Sequence, residues 1–329
     1  METSLPDCYS FFVSNVCNSN CFYCSADWRI ERMGPKTEIQ PEILAQYIAD
    51  IPQKSVVLLS GGEPTVYIDK YNLYNIFDYD HYYIIQTNAV NISENLINKL
   101  QHIRNWRLQI TIGGMNELYS YAHNIDKFQQ VVNNIRRLVA IKKETSVVEL
   151  DFLYMKSNIK QIKDFLDLCQ ELCVDCVRLL AISSCTPWGY WHNKQTQEES
   201  QYSFPENWGS LIKTFYQQSG IAIQDFSNAK LNNPENKKLI RYCSVIDGFY
   251  QCISTYNLVF WPDGSVCQCC RAANQQEDIF SFTMYDKSLQ ELLTSEERKN
   301  MILNYHTRKT CQACLGPERI KKVEEIRAR

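Results

Sequence analysis

Residues 9–24 read YSFFVSNVCNSNCFYC: an apolar run is followed at once by three closely spaced cysteines. The run is rich in aromatic and β-branched residues, which favour a buried strand. Further runs of this kind follow at residues 55–59, 82–86, 106–112, 147–154 and 177–182. Between them, apolar residues recur at helical spacing around residues 41–51, 71–77, 93–102, 127–142 and 158–173.

Alternating strands and helices are typical of parallel βα units. Six such units are too few for the closed eight-fold barrel. The sequence therefore predicts an α/β fold, an open partial (β/α)6 barrel of the TIM type, over residues 1–190.

Composition bounds the class of protein. The chain of 329 residues is 45% hydrophobic with only 11 glycines, enough for one large domain and a smaller one. Its formal net charge of −3 shows no excess of positive charge for binding a phosphate backbone, so no nucleic-acid partner is expected. The sequence shows neither a signal peptide nor an apolar run near the ~20 residues of a membrane helix, which predicts a cytoplasmic protein without a membrane partner. Fifteen cysteines in such a protein indicate metal or cluster ligation rather than disulfides.

Two further regions follow the predicted barrel. Polar stretches at 192–207 and 229–238 flank one amphipathic helix near 208–218, which predicts a linker over residues 191–242. Residues 243–329 carry seven of the fifteen cysteines and show a helical pattern only at 288–304. We expect this last part to be a small cysteine-rich module.

The chemistry is concentrated after the first two predicted strands. Cys17, Cys21 and Cys24 directly follow the first strand, where parallel barrels hold their catalytic loops. Three thiolates can hold three irons of a four-iron cube, so one iron is left open to a small molecule. The second strand is followed by the glycine-rich turn Gly61-Gly62-Glu63-Pro64.

These two motifs together resemble the radical S-adenosylmethionine (SAM) superfamily. The resemblance implies a [4Fe-4S] cluster on the three cysteines, chelation of the open iron by SAM, and reductive cleavage of SAM to a 5′-deoxyadenosyl radical. It also implies residues around SAM: Tyr23 against the adenine, Gly61, Gly62, Glu63 and Pro64 at the amino group, and Thr87 and Asn88 near the nucleoside. Many relatives carry Asp-Gly after the fourth strand. This chain has Thr111-Ile112-Gly113-Gly114 there, so the ribose contact is unassigned.

The same cysteine spacing occurs a second time, at Cys169, Cys173 and Cys176. The first two cysteines fall on the apolar face of a predicted helix, and Cys176 opens the next strand. Their thiols should therefore point into a core, and we interpret this copy as structural.

The C-terminal cysteines suggest a second site. Residues 252–270 are typical of a hairpin, with an apolar strand, a turn at residues 261–264 and a cysteine-bearing return strand. With the distant pair Cys311 and Cys314, such a hairpin can bring four thiolates together around a four-iron cluster or a zinc ion.

This arrangement resembles the SPASM and twitch auxiliary-cluster modules of the superfamily. Since no cysteine follows Cys314, the shorter twitch type is expected, with one auxiliary [4Fe-4S] cluster. The implied ligands are Cys252, Cys269, Cys311 and Cys314, with Cys270 as the alternative to Cys269, and Cys267 and Cys243 still possible. A zinc-holding structural module is the non-enzyme alternative.

Two more residues have open roles. Cys185 follows the sixth predicted strand and could donate a hydrogen atom to a substrate radical, although an ordinary half-buried loop cysteine explains it as well. Arg178 interrupts an apolar strand and could reach the SAM carboxylate, but a structural ion pair is an equal explanation. The five histidines show no metal-ligand spacing, so no role is assigned to them.

The expected reaction is hydrogen-atom abstraction by the 5′-deoxyadenosyl radical. The resemblance implies either a ribosomally made peptide substrate, for oxidation or cross-linking, or a small metabolite of the sugar or cyclitol type. Only 16 residues precede Cys17, so any peptide-recognition domain is expected on a separate protein. An electron donor of the flavodoxin or ferredoxin type is also implied.

Overall fold

The computed structural model describes residues 5, 6, 8–24, 34, 36–182, 194–225, 257–268 and 279–303. Within these residues, the six predicted strands all lie in one sheet and pair in parallel in chain order. Their bounds are β1 Cys8–Ser14, β2 Val56–Gly61, β3 Tyr82–Thr87, β4 Trp106–Ile112, β5 Val147–Tyr154 and β6 Cys176–Ala181. The predicted α/β fold with a parallel sheet is confirmed.

Helices connect these strands as βα units require. In chain order they are α1 Pro41–Asp50, α2 Pro64–Tyr71, α3 Glu94–His102, α4 Glu117–His123, α5 Phe128–Ile141 and α6 Ile162–Glu171. Short 3₁₀ helices lie at Tyr74–Asp78 and Ile159–Gln161. The sheet-facing side of each longer helix is apolar, which is why a helical period was visible in the sequence.

The helix predicted at 71–77 corresponds to the short 3₁₀ helix at Tyr74–Asp78, whereas the preceding helix α2 was not predicted. Helix α2 begins earlier because Pro64 occupies its first turn and the Glu63 side chain caps the Thr65 nitrogen. It ends at Asn72, whose backbone is left-handed (φ 53°).

The sheet is wider than predicted. After α7 Lys194–Glu199 and α8 Trp208–Ser219, strand β7 Ala222–Asp225 adds to β6 in parallel. At the opposite edge, β8 Asn257–Phe260 pairs in parallel with β1. The predicted hairpin is confirmed as β8 and β9 Ser265–Cys267, and β10 Ile279–Thr283 follows it. Helices α9 Leu289–Thr294 and α10 Glu296–Leu303 replace the single helix expected at 288–304.

The hairpin shares the core of the barrel. Phe11 of β1 stacks on Phe260 with ring centroids 4.6 Å apart, and Phe12 stacks on Trp261 at 4.3 Å. Adjacent residues of β1 point to opposite faces of the sheet, so the hairpin is packed on both faces. The division into residues 1–190, 191–242 and 243–329 stays a prediction. No helix in the described ranges is long and apolar enough to span a bilayer.

Candidate active site

The residues singled out by both sequence motifs meet at one edge of the sheet. Residues 15–24 follow β1, the Gly61–Glu63 turn begins at the last residue of β2, and Asn88 follows β3. Parallel strands bring their carboxyl ends to the same edge, which is where ligands bind in such folds.

The three motif cysteines are carried by the loop after β1. Cys17 is exposed, and Cys21 and Cys24 are half-buried. Although the residue as a whole is exposed, partial desolvation of the Cys17 thiol raises its pKa to about 11, and the charges of Glu63 and Cys24 add to this. Burial also raises the pKa of Cys21, with further contributions from Cys24 and Cys17. Ionisation of a neighbouring motif cysteine therefore makes ionisation of Cys17 and of Cys21 less favourable.

This donor set fits an iron–sulfur cluster. The described residues contain no group of three or more His, Cys, Asp or Glu side chains arranged around a single ion. A four-iron cluster does not require one, because each cysteine binds a different iron. A cationic iron centre also stabilises the thiolates of Cys17 and Cys21, whose ionisation is otherwise disfavoured by desolvation and by neighbouring negative charge.

The glycines of the GGEP turn are required by the cysteine loop. A Cβ at Gly62 would lie 2.0 Å from the Val16 carbonyl oxygen, and one at Gly61 would lie 2.5 Å from the Ser14 carbonyl oxygen. Gly61 also has a φ of 123°, which favours glycine. Glu63 donates its backbone N–H to the Val16 oxygen at 2.8 Å. The turn is thus packed against the base of the loop that carries Cys17, and its contact with the SAM amino group stays a prediction.

The Glu63 carboxylate joins three elements. One oxygen accepts from the Thr65 nitrogen (3.1 Å), the Thr65 hydroxyl (2.8 Å) and the Thr87 hydroxyl (2.6 Å). The other oxygen accepts from the Asn88 nitrogen at 2.8 Å. Burial raises the pKa of Glu63, and these hydrogen bonds partly offset that rise. Glu63 therefore fixes the ends of β2 and β3 relative to the start of α2.

Asn88 extends this network to the cysteine loop. Its side-chain nitrogen lies 2.7 Å from Asn18 Oδ1, 3.1 Å from Ser19 Oγ and 3.6 Å from Cys17 Sγ. Its backbone is meanwhile held by Glu63. Asn88 thereby couples the GGEP turn to Cys17. The roles of Thr87 and Asn88 near the nucleoside of SAM stay predictions.

Tyr23 and His123 form a buried pair behind Cys21. The Tyr23 hydroxyl lies 3.1 Å from His123 Nε2, and His123 Nδ1 lies 3.2 Å from Cys21 Sγ. Burial lowers the pKa of His123 to about 3, so its ring is neutral. No role was predicted for this histidine, which is 102 residues from Cys21 along the chain. Packing of the Tyr23 ring on adenine stays a prediction.

Arg178 is held in a buried polar layer inside the barrel. Its guanidinium pairs with the Asp151 carboxylate and lies 2.9 Å from Glu149 Oε1. A row of side-chain hydrogen bonds extends this layer across the sheet. Gln109 donates to Glu149 (2.9 Å), Gln86 donates to Gln109 (3.0 Å), and Ser60 donates to Gln86 (2.7 Å). These contacts favour the ion-pair interpretation of Arg178, and its binding to SAM stays a prediction.

The second copy of the cysteine motif differs in its surroundings. Cys169 and Cys176 are buried, as expected for structural residues. Cys173 is exposed, so its expected place on the buried helix face is wrong. The chain turns there into a left-handed conformation (φ 54°), and the thiol lies 3.6 Å from the Gln170 carbonyl oxygen.

Several predicted site residues lie outside the described residues: Cys185, Cys243, Cys252, Cys269, Cys270, Cys311 and Cys314. Cys267, the remaining possible auxiliary ligand, is buried on β9, and the Trp261 indole donates to its sulfur at 3.1 Å.

Comparisons with known proteins agree with the fold and the motifs. The sequence model described as "Radical SAM superfamily" matches residues 11–169. The chain therefore contains a radical SAM superfamily domain, and this family implies SAM and a [4Fe-4S] cluster.

The matching curated relatives are described as "Probable GTP 3′,8-cyclase". The one from Methanocaldococcus jannaschii is 29% identical over 165 residues, which is 49% of this chain and 54% of the relative. The one from Sulfurisphaera tokodaii is 23% identical over 172 residues, or 52% and 54%. The chain thus spans about half the length of these relatives.

Solved structures resemble a larger part of the chain. Streptococcus suis SuiB bound to the precursor peptide SuiA has a TM-score of 0.66 and 14% identity, over 91% of this chain and 67% of SuiB. Native anSMEcpe with bound AdoMet has a TM-score of 0.62 and 15% identity, over 90% of this chain and 83% of that protein. At such identities the likeness shows the fold alone.

Proposed function

We propose that this chain is an enzyme that binds SAM beside a [4Fe-4S] cluster on Cys17, Cys21 and Cys24 and abstracts a hydrogen atom from its substrate. When bound, the cluster supplies the electron that cleaves SAM to the 5′-deoxyadenosyl radical. The observation that carries this proposal is the chain of contacts from Glu63 through Asn88 to Cys17, which holds the two motifs at one edge of the barrel.

The protein's own residues contribute position and shielding. The glycine turn fixes the base of the cysteine loop, and Asn88 restrains Asn18 and Ser19 within it. Tyr23 is buried with Ala122, Leu153, Met155 and Ile182, which forms an apolar wall beside Cys21. Such a wall keeps water from a reactive radical.

The test uses the two copies of the cysteine motif as a matched pair. Anaerobic reconstitution of Cys17→Ser should lower the iron content and abolish 5′-deoxyadenosine formation from SAM and dithionite. Cys173→Ser has the same motif spacing and an exposed thiol, so it should behave like wild type. A Cys17→Ser variant that still forms 5′-deoxyadenosine, or a wild-type protein that forms none, would contradict the proposal.

The substrate proposed is a ribosomally made peptide, which the enzyme oxidises, cross-links or otherwise modifies. Supporting this, the likeness to SuiB, solved with its precursor peptide, extends over 91% of the chain. A separate peptide-recognition protein and an electron donor of the flavodoxin or ferredoxin type belong to this proposal.

A small metabolite is the second candidate, since the curated relatives are described as probable GTP 3′,8-cyclases. Their likeness spans only about half of the chain. Addition of GTP distinguishes the two candidates. If the substrate is a peptide, GTP should neither increase 5′-deoxyadenosine formation nor be consumed, as judged by liquid chromatography and mass spectrometry. GTP-dependent turnover would favour the metabolite.

An auxiliary [4Fe-4S] cluster on Cys252, Cys269, Cys311 and Cys314 is a further part of the proposal. The confirmed hairpin and its turn at Gly264, which has a φ of 82°, support it. The Cys311→Ala/Cys314→Ala variant should lose about half of the reconstituted iron, because two four-iron clusters would become one. An unchanged iron content, or bound zinc in its place, would rule the second cluster out.

A further inference from the structure

His123 stands at the end of α4, and only 1% of it is exposed. Its Nδ1 lies 3.2 Å from the sulfur of Cys21, a hydrogen-bonding distance for a nitrogen and a sulfur. None of the sequence motifs includes this histidine.

The backbone of Gly113 determines which ring nitrogen carries the proton. Gly113 donates its N–H to His123 Nε2 at 2.9 Å. Because a backbone nitrogen can only donate, Nε2 must be the acceptor, and a neutral imidazole then has its proton on Nδ1. The Nδ1–H therefore faces the sulfur of Cys21.

The ring is held in this orientation from several sides. It stacks on Tyr119 with centroids 4.2 Å apart and an interplanar angle of 19°. Asn158 donates to the Gly113 carbonyl at 3.0 Å and so anchors the residue that binds Nε2. A side chain at Gly113 would crowd this arrangement, since its Cβ would lie 2.8 Å from Ala122 Cβ and 3.2 Å from His123 Nε2.

We propose that His123 is a positioning residue that donates a hydrogen bond from Nδ1 to the Cys21 thiolate and thereby raises the reduction potential of the cluster; this rests on the proposed function. Reduction adds negative charge to the cluster and its sulfur ligands. A hydrogen bond to a ligating sulfur stabilises that charge, and such outer contacts are known determinants of cluster potentials. The Tyr23 hydroxyl lies 3.3 Å from His123 Nδ1, slightly farther than the Cys21 sulfur at 3.2 Å, so it is a second acceptor beside the sulfur for the Nδ1–H.

Two variants separate this role from simple packing. His123→Gln retains an acceptor near Nε2 for the Gly113 N–H but loses the donor to Cys21. His123→Asn retains a donor near Nδ1 but loses the acceptor. Two quantities are measured: the midpoint potential of each reconstituted protein, by redox titration with EPR detection, and the melting temperature of each apoprotein. The midpoint potential should change in His123→Gln, and the melting temperature should change in His123→Asn.

In His123→Gln we expect the ratio of reduced to oxidised cluster at a fixed potential to fall by about tenfold, or about 59 mV for one electron. His123→Asn should retain the wild-type potential and lose thermal stability. Equal potentials in wild type and His123→Gln, at equal iron content, would overturn the inference and leave the proposed function intact. A wild-type protein that assembles no cluster would overturn both.

A measurement on the wild-type protein tests the same hydrogen bond without any variant, in case a variant fails to fold. With ¹⁵N-labelled histidine, pulsed EPR of the reduced cluster should show a weak nitrogen coupling, and unlabelled SAM cannot contribute to it. Absence of this coupling in a cluster-loaded sample would also overturn the inference.

Discussion

The Glu63 carboxylate accepts a hydrogen bond from the Asn88 backbone nitrogen at 2.8 Å and so joins the end of β2 to the end of β3. The Asn88 side chain in turn contacts Cys17 and its neighbours. A change at Glu63 should therefore be felt in the cysteine loop, even though Glu63 does not touch a cysteine directly in the described contacts.

Glu63→Gln tests this connection. The amide places an NH₂ group where one carboxylate oxygen accepts, so at least one buried donor loses its partner. We expect a loss of about 1–3 kcal/mol in the free energy of unfolding, measured by urea denaturation, together with reduced iron retention. Glu94→Gln is the matched control, because the Glu94 side chain is 80% exposed. Equal effects of the two substitutions would contradict a structural role for Glu63.

Gly62→Ala should be more damaging. Its Cβ would lie 2.0 Å from the Val16 carbonyl oxygen, so the cysteine loop has to move. We expect a loss of about 3 kcal/mol or more by urea denaturation, and a lower iron content after reconstitution. Gly209→Ala in α8 has nothing within 4 Å of the added atom and should stabilise the protein by up to about 1 kcal/mol. A Gly62→Ala protein as stable as wild type would show that the loop does not depend on this contact.

Arg178→Met tests the buried ion pair. The substitution leaves the Asp151 carboxylate without its cation in a buried layer, which typically costs about 3–5 kcal/mol, whereas Glu149 keeps its ion pair with Arg107. The measurement is urea unfolding in the absence of SAM, where a residue used only for SAM binding would have no effect.

The exposed pair of Lys163 and Asp167 provides the control for Arg178. Their side chains are 65% and 60% exposed, so Lys163→Ala should change the stability by at most about 0.5 kcal/mol. If Arg178→Met were as mild as Lys163→Ala but weakened SAM binding, the alternative interpretation of Arg178 would be correct.

The sequence predicted those parts of the fold that have a local pattern. All six barrel strands were predicted because each is an apolar run. The Cys17 loop was predicted because the cysteine motif directly follows the first of these strands. Strand β7 was missed because its four residues form no such run, and α2 was missed because its start depends on the Glu63 cap.

Those parts of the candidate site that depend on contacts between residues distant in sequence could not be predicted. His123 was missed because its closeness to Cys21 comes from the packing of α4 against the loop after β1, which no local spacing encodes. Gly113 makes room for this ring, but a glycine in the sequence does not indicate which side chain packs against it. Arg178 was visible as a charge in an apolar strand, but its partners on β5 were not.

The stability of the protein should also depend on pH through His81, which is remote from the cysteine loop. His81 is 3% exposed, and its Nε2 lies 3.2 Å from the Ile48 carbonyl oxygen. Burial lowers the pKa of His81 below its ordinary value of 6.5. Below about pH 6.5 the unfolded chain therefore binds a proton at His81 that the folded chain excludes. The contribution of His81 to the free energy of unfolding is complete above about pH 6.5 and is lost as the pH falls.

His81→Gln isolates this contribution, because its amide can still donate to the Ile48 oxygen but does not titrate. We expect the wild-type free energy of unfolding to decrease between pH 7 and pH 5, and the variant to decrease less. The difference in slope can reach about 1.4 kcal/mol per pH unit for one proton. Urea denaturation of both proteins at half-unit pH steps measures it. Parallel curves for the two proteins would show that His81 is protonated equally in the folded and unfolded states, contrary to its burial.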